Sequence, residues 1–568
     1  MLMKLIVVGG VAGGASAAAR TRRLDAKAEI VIFERGAHVS FSNCSLPYYL
    51  GGVVGSDEDL IMMFPEDFKN NHDIDVYTRH EVTAINRDRK TVTVKNLNTG
   101  EAFEESYDKL VLSPGAKPVM PKSIKGIDGS NVFTIRNVTD ISRLKTYLDA
   151  AEMKKVAVVG GGFIGIETAE NLREAGKQVS VIEGTGQIMA PYDYDMVQIL
   201  HKELDDHGID LYLESSVTAI ESGTVTAVKN GETFSIEADA VIMAVGVAPE
   251  TELAEKAGLA IGDSRGIKVN HNYQTTDPDI YAIGDAIESF NSLTHKPGRI
   301  ALAGPAQRQA RAAADHMYGI PANNKGFIGS SCIKLFGLNA ACTGLNEKTA
   351  KQEGFSYDSV MIFPSDKVGI MPGANYMVFK LIFEVPTGRI LGAQAIGTGE
   401  TDKRINVIAT MITMGGTLED LKELELCYAP SFSTAKDVVN LAALVALNVL
   451  NGRIKQVHVD EVRDLAESGA CIIDVRSPEE FEAGHLKCAK NIPLGQLRGR
   501  LSEIPKDVPV YLHCRSSQRS YYATCCLQGN GFSNIFNISG SFLGISLYEY
   551  FNDKTLGREP IVTVYNFE

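Results

Sequence analysis

Lys4-Leu5-Ile6-Val7-Val8-Gly9-Gly10-Val11-Ala12-Gly13-Gly14 is the stretch on which the reading of this chain turns. Five residues of buried-strand character run into a glycine-rich turn, and the helix formers Ala15 to Leu24 follow. A second strand, Glu29 to Phe33, ends at Glu34, twenty residues beyond Gly14. Strand, glycine turn, helix, strand and acid in that order predict a dinucleotide-binding unit. Gly9, Gly10, Ala12 and Gly14 let the backbone approach a pyrophosphate, the helix N-terminus stabilises its charge, and Glu34 accepts from the ribose hydroxyls of an adenosine. The middle glycine of the G-x-G-x-x-G pattern is Val11 here.

The pattern returns in full further on. Lys155 to Val159 lead into Gly160-Gly161-Gly162-Phe163-Ile164-Gly165, with a helix predicted from Ile166 to Ala175 and a strand from Gln178 to Ile182 that ends at Glu183. Gly160, Gly162, Ile164 and Gly165 are the binding positions of this loop. Glu183, eighteen residues past Gly165 and followed by Gly184 rather than arginine, repels a 2′-phosphate and selects NADH over NADPH. Two units imply two dinucleotides. Tyr107 to Ala116 and Ala240 to Pro249 each read as a strand leading into a tight turn, and Asp277 to Ala286 as a strand that delivers Asp285.

In this order the motifs resemble the flavoprotein pyridine nucleotide-disulfide oxidoreductases, over about residues 3 to 450. The resemblance implies that the second unit is inserted into the first, that the first holds FAD with Gly284 and Asp285 at the ribityl and phosphate groups, and that the second holds NADH. Val39-Ser40-Phe41-Ser42-Asn43-Cys44-Ser45-Leu46-Pro47-Tyr48-Tyr49 then becomes the redox segment. A lone cysteine ordinarily reads as a small buried hydrophobe, but Cys44 falls ten residues after Glu34 and no second cysteine follows until Cys332. Its redox partner is therefore not a neighbouring thiol. The segment is similar to that of coenzyme A-disulfide reductases and NADH-dependent persulfide reductases, where a single thiol forms a mixed disulfide with coenzyme A. Water-forming NADH oxidases, cycling through sulfenic acid, are the alternative.

That resemblance assigns Arg20, Arg23 and Arg308 to the phosphates of coenzyme A, and Ser40 and Asn43 to its pantetheine arm; helix-surface solvation is the plain alternative for the arginines. It also implies a homodimer in which Tyr428, within Leu426 to Phe432, reaches the other subunit's site and protonates a departing thiolate. Two departures stand out: Ser45 replaces the usual glycine, and Ile370-Met371 precede Pro372-Gly373-Ala374 where tyrosine is usual. The second makes a smaller sulfur substrate attractive.

After Asn451-Gly452 the pattern restarts at Val457. Cys471 to Arg476 read as a strand, Ser477 to Glu482 as the start of a helix, and Val510 to His513 as a strand delivering Cys514-Arg515-Ser516-Ser517-Gln518-Arg519 to a helix N-terminus. Amide groups and two arginines converging on Cys514 are expected to lower its pKa and bind an anion or persulfide. Residues 457 to 568 resemble a rhodanese domain, which makes Cys514 and Arg519 catalytic; Cys525 and Cys526 read as packing residues.

The chain has 568 residues, of which 44% are hydrophobic and 22% charged, ordinary values for a globular protein of three or four domains. A net charge of -14 argues against nucleic acid as a partner. Nine scattered cysteines without metal-ligand or disulfide spacing, an immediate strand at the N-terminus and no long apolar run point to a cytoplasmic protein without a membrane span or a metal. The expected fold class is α/β: two nested Rossmann-like domains, an α+β dimerisation domain and an α/β rhodanese domain. The expected boundaries are 1–120 with 245–325 for FAD, 121–244 for NADH, 326–450 for dimerisation, 451–456 as linker and 457–568 for rhodanese. The expected activity is NADH- and FAD-dependent reduction of persulfide, polysulfide or a coenzyme A persulfide or disulfide, with Cys514 handling sulfane sulfur. A redox sensor that binds flavin and coenzyme A without turnover is the alternative from another class.

Overall fold

The computed structural model describes residues 3–150, 153–321 and 324–567, which fall into two compact units. Unit 1 comprises residues 1–186 and 209–327 and unit 2 residues 187–208 and 328–568.

In unit 1 the apolar run Lys4–Val8 lies at the centre of a five-stranded parallel sheet, in the order Ile280–Ala282, Lys109–Leu112, Lys4–Val8, Glu29–Glu34, Asp75–Thr78. Leu5, Ile6 and Val7 are fully buried, as expected of a central parallel strand covered on both faces. A second parallel sheet has the same build around Lys155–Val159: Asp210–Tyr212, Gln178–Ile182, Lys155–Val159, Ala240–Met243, Val132–Phe133. The chain leaves the first sheet through Ala116–Pro118 and returns through Val247–Pro249, and these two segments pair antiparallel. That pairing is the physical form of the nesting: two crossings satisfy each other's backbone groups.

Both loop helices begin earlier than the sequence pattern predicts, at Ala12 rather than Ala15 and at Phe163 rather than Ile166. Gly13, Gly14 and Gly165 are helix residues of the first turn, not part of a preceding loop. The reason is packing: a Cβ on Gly14 would lie 1.8 Å from the Gly9 carbonyl oxygen, and one on Gly165 2.0 Å from that of Gly160. Glycine there lets the helix start hard against its own strand.

Unit 2 holds a five-stranded antiparallel sheet, in the order Ser331–Leu335, Leu338–Gly344, Ile390–Gly397, Met377–Glu384, Tyr357–Ile362. It is flanked by helices Thr401–Met414 and Val438–Leu450. A five-stranded parallel sheet follows, in the order Gln456–Val457, Ile535–Ile538, Val510–His513, Cys471–Asp474, Lys490–Asn491. The helix Tyr194–Asp206 belongs to this unit although it is encoded within the second dinucleotide segment. It packs on Ser541–Leu556, where the Tyr194 hydroxyl donates to Asn552 Oδ1 at 2.7 Å and the His201 ring lies 4.9 Å from Phe551. No helix among the described residues is long and apolar enough to cross a membrane.

Candidate active site

The two glycine loops have one geometry. Gly9 has φ +93° and Gly160 φ +114°, and a Cβ at either would lie within 2.3 Å of a carbonyl oxygen, that of Ser113 or Ala244. Both positions therefore demand glycine. At Gly162 a Cβ would meet nothing within 4 Å, so the second loop faces open space where a phosphate can approach the backbone. Glu34 accepts from the amides of Gly10 at 2.9 Å and Gly36 at 2.6 Å, while Glu183 accepts from Gly161 at 2.7 Å and Thr185 at 2.8 Å. Each acid thus braces its own loop. Ala12 and Ile164 lie in the first helical turns, where amide groups have no intrahelical acceptor.

A cleft of about 440 Å³ opens from the first loop, lined by Gly9, Glu34, Asn43, Ser113 and Asp285 among others. Gly284, at φ +76°, turns the chain there and donates its amide to Gln309 Oε1 at 2.7 Å, which leaves Asp285 at the cleft with its carboxyl pushed up by burial. The cleft and the strained glycines fit a bound dinucleotide.

The cysteine segment is fastened to that loop. Ser40, at φ +46°, donates its amide to the Gly10 carbonyl at 2.9 Å and accepts from Met62 at 2.7 Å. Asn43–Ser45 form a single helical turn that runs into Leu46–Leu50. Around it the Ser45 amide donates to the Ser42 carbonyl at 3.1 Å, and the two serine hydroxyls lie 2.7 Å apart. The serine that replaces the usual glycine therefore closes a second bond across the turn that carries Cys44. Cys44 is largely exposed as a residue, while its thiol is pushed up first by partial burial and then by the carboxylates of Glu167 and Asp285.

Of the cations assigned to coenzyme A, Arg20 is engaged by Asp315 at 2.5–2.6 Å, and Asp315 also meets Arg311 at 3.8 Å. Arg23 and Arg308 are exposed, on the helices Ala12–Leu24 and Ala303–Met317 that pack together. In unit 2, Tyr428 is 51% exposed in the segment before Val438–Leu450, and Phe432, Ile370 and Tyr376 are exposed as well.

Cys514 follows the strand Val510–His513 and is buried, and the loop that it begins leads into the helix Gln518–Gly529. Arg519 is held by a two-toothed pair with Glu480, at 2.6 and 2.7 Å, and also reaches the Cys514 sulfur. Hydrogen bonding from Arg519 keeps the Glu480 carboxyl down at about 2. Beneath the loop Arg476 pairs with Asp474 at 2.6 Å and lies 4.1 Å from the Phe542 ring. Cys526 packs on the core, whereas Cys525 is exposed rather than buried, because its side of the helix faces away from the sheet.

Three groups escaped the sequence reading. Glu167, two residues past Gly165, faces the cysteine segment, where Tyr48 hydrogen-bonds it. Glu480 carries a readable signal, the capping box Ser477-Pro478-Glu479-Glu480. Ser541, which touches Cys514 from 27 residues away, has no local signal at all.

Two dinucleotide loops beside an exposed lone thiol define a nucleotide-dependent oxidoreductase of sulfur. The family description "pyridine nucleotide-disulphide oxidoreductase" matches residues 3–310, its dimerisation domain residues 330–438, and a rhodanese-like domain residues 458–547. The chain belongs to the pyridine nucleotide-disulphide oxidoreductases, and to the branch that carries a C-terminal rhodanese domain. A coenzyme A disulfide reductase of Staphylococcus haemolyticus is 37% identical over 444 residues, 78% of this chain and 98% of that protein. The crystal structure of the reduced Bacillus anthracis CoADR-RHD superposes with a TM-score of 0.93 at 43% identity, covering 96% of this chain and 98% of that one. A NAD-dependent persulfide reductase from A. fulgidus follows at TM-score 0.90 and 34% identity, covering 96% and 100%. The α/β architecture is the one expected, the chain is a reductase of this family, and FAD and NADH are its dinucleotide cofactors.

Proposed function

We propose that the chain reduces persulfide, polysulfide or coenzyme A-bound sulfur with electrons from NADH, through Cys44, and that Cys514 carries sulfane sulfur. The observation that carries the reading is one chain holding two differently built thiols. One is exposed and tied to a dinucleotide loop, and the other is buried between the end of a strand and the start of a helix that carries Arg519.

FAD is assigned to Gly9, Gly10, Ala12, Gly14, Glu34 and Asp285, and NADH to Gly160, Gly162, Ile164, Gly165 and Glu183. Bound together they supply an electron pair at the sulfur. The Cys44 thiolate attacks a persulfide R–S–SH at its outer sulfur, the S–S bond breaks, and R–S⁻ leaves. Two electrons then cleave the Cys44 persulfide, Cys–S–SH, releasing hydrosulfide with the proton it already carries and restoring the thiolate. With a disulfide R–S–S–R′ the same attack leaves Cys44 in a mixed disulfide and frees R′–S⁻. The chain acts as a homodimer, and Tyr428 from a second copy protonates the departing thiolate; its exposure and the dimerisation domain support this role. Arg23 and Arg308 offer open charge to coenzyme A phosphates, Arg20 joins them on release from Asp315, and Ser40 and Asn43 line the approach to Cys44. The exposed Ile370, where tyrosine is usual, favours the smaller sulfur substrates.

Disulfide reduction of coenzyme A as the main activity is the second reading, carried by the 37% identical relative. Stopped-flow mixing of the NADH-reduced protein with polysulfide, coenzyme A disulfide or oxygen decides between them. Fastest reoxidation by polysulfide or persulfide is expected, and oxygen alone acting at a catalytic rate overturns the proposal in favour of an NADH oxidase.

A further inference from the structure

We infer that Ser541 is a catalytic residue of the rhodanese-like domain, the hydroxyl that donates to the charged sulfur of Cys514 during sulfur transfer. The inference rests on the reading of Cys514 as the sulfur carrier and names a residue that reading does not include.

Ser541 begins the helix Ser541–Leu556 and is fully buried. Its φ is +51°, in the left-handed region that a serine occupies only at some cost, and it follows Gly540 at φ +80°. The conformation brings its Oγ under the sulfur-bearing loop. The Cys514 amide donates to Ser541 Oγ at 3.2 Å, the Cys514 Sγ lies 3.9 Å from it, and the Ser517 hydroxyl lies 3.1 Å away. Phe542 and Leu543 donate their amides to the carbonyls of Cys514 and Arg515, at 3.1 and 3.0 Å, which pins the helix start to the loop.

A hydroxyl has two lone pairs and one proton. The Cys514 amide fills one lone pair; the Ser517 hydroxyl at 3.1 Å either donates to the other or accepts from Ser541, since it also reaches the Ile538 carbonyl at 3.2 Å. The Ser541 proton then has four acceptors in reach: Cys514 Sγ, Ser517 Oγ at 3.1 Å, the Ile538 carbonyl at 3.4 Å and Ser520 Oγ at 3.5 Å. Ser520 gives its own proton to Asn537 Oδ1 at 2.6 Å, so toward Ser541 it acts only as an acceptor. When Cys514 carries a thiolate or persulfide anion, the charge draws the Ser541 proton to sulfur, because a hydrogen bond to an ionised acceptor is about twice as strong as a neutral one. Ser517 then orients Ser541 rather than touching the sulfur. In transfer from thiosulfate the thiolate attacks the sulfane sulfur, sulfite leaves with the bonding pair, and Cys514–S–S⁻ remains; cyanide then takes the sulfur as thiocyanate and returns the thiolate.

The test is the pH profile of thiosulfate-to-cyanide sulfur transfer by the full-length protein, for wild type, Ser541→Gly and Ser517→Gly. Glycine suits both positions, since Ser517 also has a positive φ of +72°, so neither change adds backbone strain. Loss of the Ser541 donor is expected to move the acidic limb of kcat/KM up by about one pH unit, roughly tenfold slower transfer below the midpoint. Ser517→Gly is expected to move it less and in the same direction. A Ser541→Gly limb that stays in place overturns the inference, whatever happens to KM or to the Ser517→Gly limb. Cys514→Ser separates this from the underlying reading: transfer that survives that change sinks the sulfur-carrier role, whereas transfer lost there with an unshifted Ser541→Gly limb sinks only the role of Ser541.

Discussion

Glu167 shows how one side chain couples the second nucleotide loop to the redox thiol. Burial pushes its carboxyl up to about 7, Glu170 adds to this, and the hydrogen bond with Tyr48 opposes it. Near neutral pH it therefore gains a negative charge as pH rises, and that charge raises the Cys44 thiol in turn. Glu167→Gln is expected to lower the pH at which Cys44 becomes reactive, by a few tenths of a unit up to about one unit. Alkylation of the Cys44 peptide followed by mass spectrometry across pH 6 to 10 reads it; an unmoved profile removes Glu167 from the thiol's environment. Gly9→Ala is the second residue-scale prediction. It places a Cβ 2.2 Å from the Ser113 carbonyl at φ +93°, so the purified protein should retain little flavin, read as the ratio of visible to protein absorbance.

At the scale of elements, unit 2 is joined by two charged clusters. The Lys380 ammonium, 2% exposed, sits among Asp195 at 2.8 Å, Glu347 at 2.7 Å and Asp193 at 3.3 Å, tying the helix Tyr194–Asp206 to the antiparallel sheet. Lys380→Met leaves three carboxylates without their counter-charge, and denaturant unfolding should show a loss of about 3–5 kcal/mol. Beside it, His458 Nε2 lies 3.3 Å from Asp358 Oδ1, joining the rhodanese-like domain to the strand Tyr357–Ile362. Burial alone would lower the imidazole, but the hydrogen bond to Asp358 and the charges of Glu347 and Asp358 outweigh it and raise the pKa. A histidine raised on folding adds stability that is complete below its unfolded pKa, about 6.5, and is lost as pH rises through the folded value. Wild type should therefore lose more thermal stability than His458→Gln as pH rises above about 6.5. The difference should be on the order of 1 kcal/mol or less, since both partners are about one-third exposed.

For the molecule as a whole, the two thiols should separate by mutation. Cys44→Ser is expected to abolish NADH-dependent reduction of polysulfide while thiosulfate-to-cyanide transfer continues, and Cys514→Ser to do the reverse; loss of both activities in either variant would show that the thiols work only in series. The parts of this architecture legible from sequence were those whose physics is local. A buried strand, a glycine with no room for a Cβ and an acid at the next strand's end lie within about thirty consecutive residues, so both nucleotide units and their order could be read directly. The loop from Cys514 to Arg519 was legible for the same reason. Even there the helix starts were misplaced by three residues, because Gly14 and Gly165 are set by contact with their strands and not by helix propensity. Tertiary structure alone decided that Glu167 faces Cys44, that Glu480 holds Arg519 from 39 residues away, that Ser541 reaches Cys514 from 27, and that Tyr194–Asp206 joins unit 2. Such contacts depend on which strands lie side by side and on how a connection returns to the sheet, and no spacing along the chain encodes that.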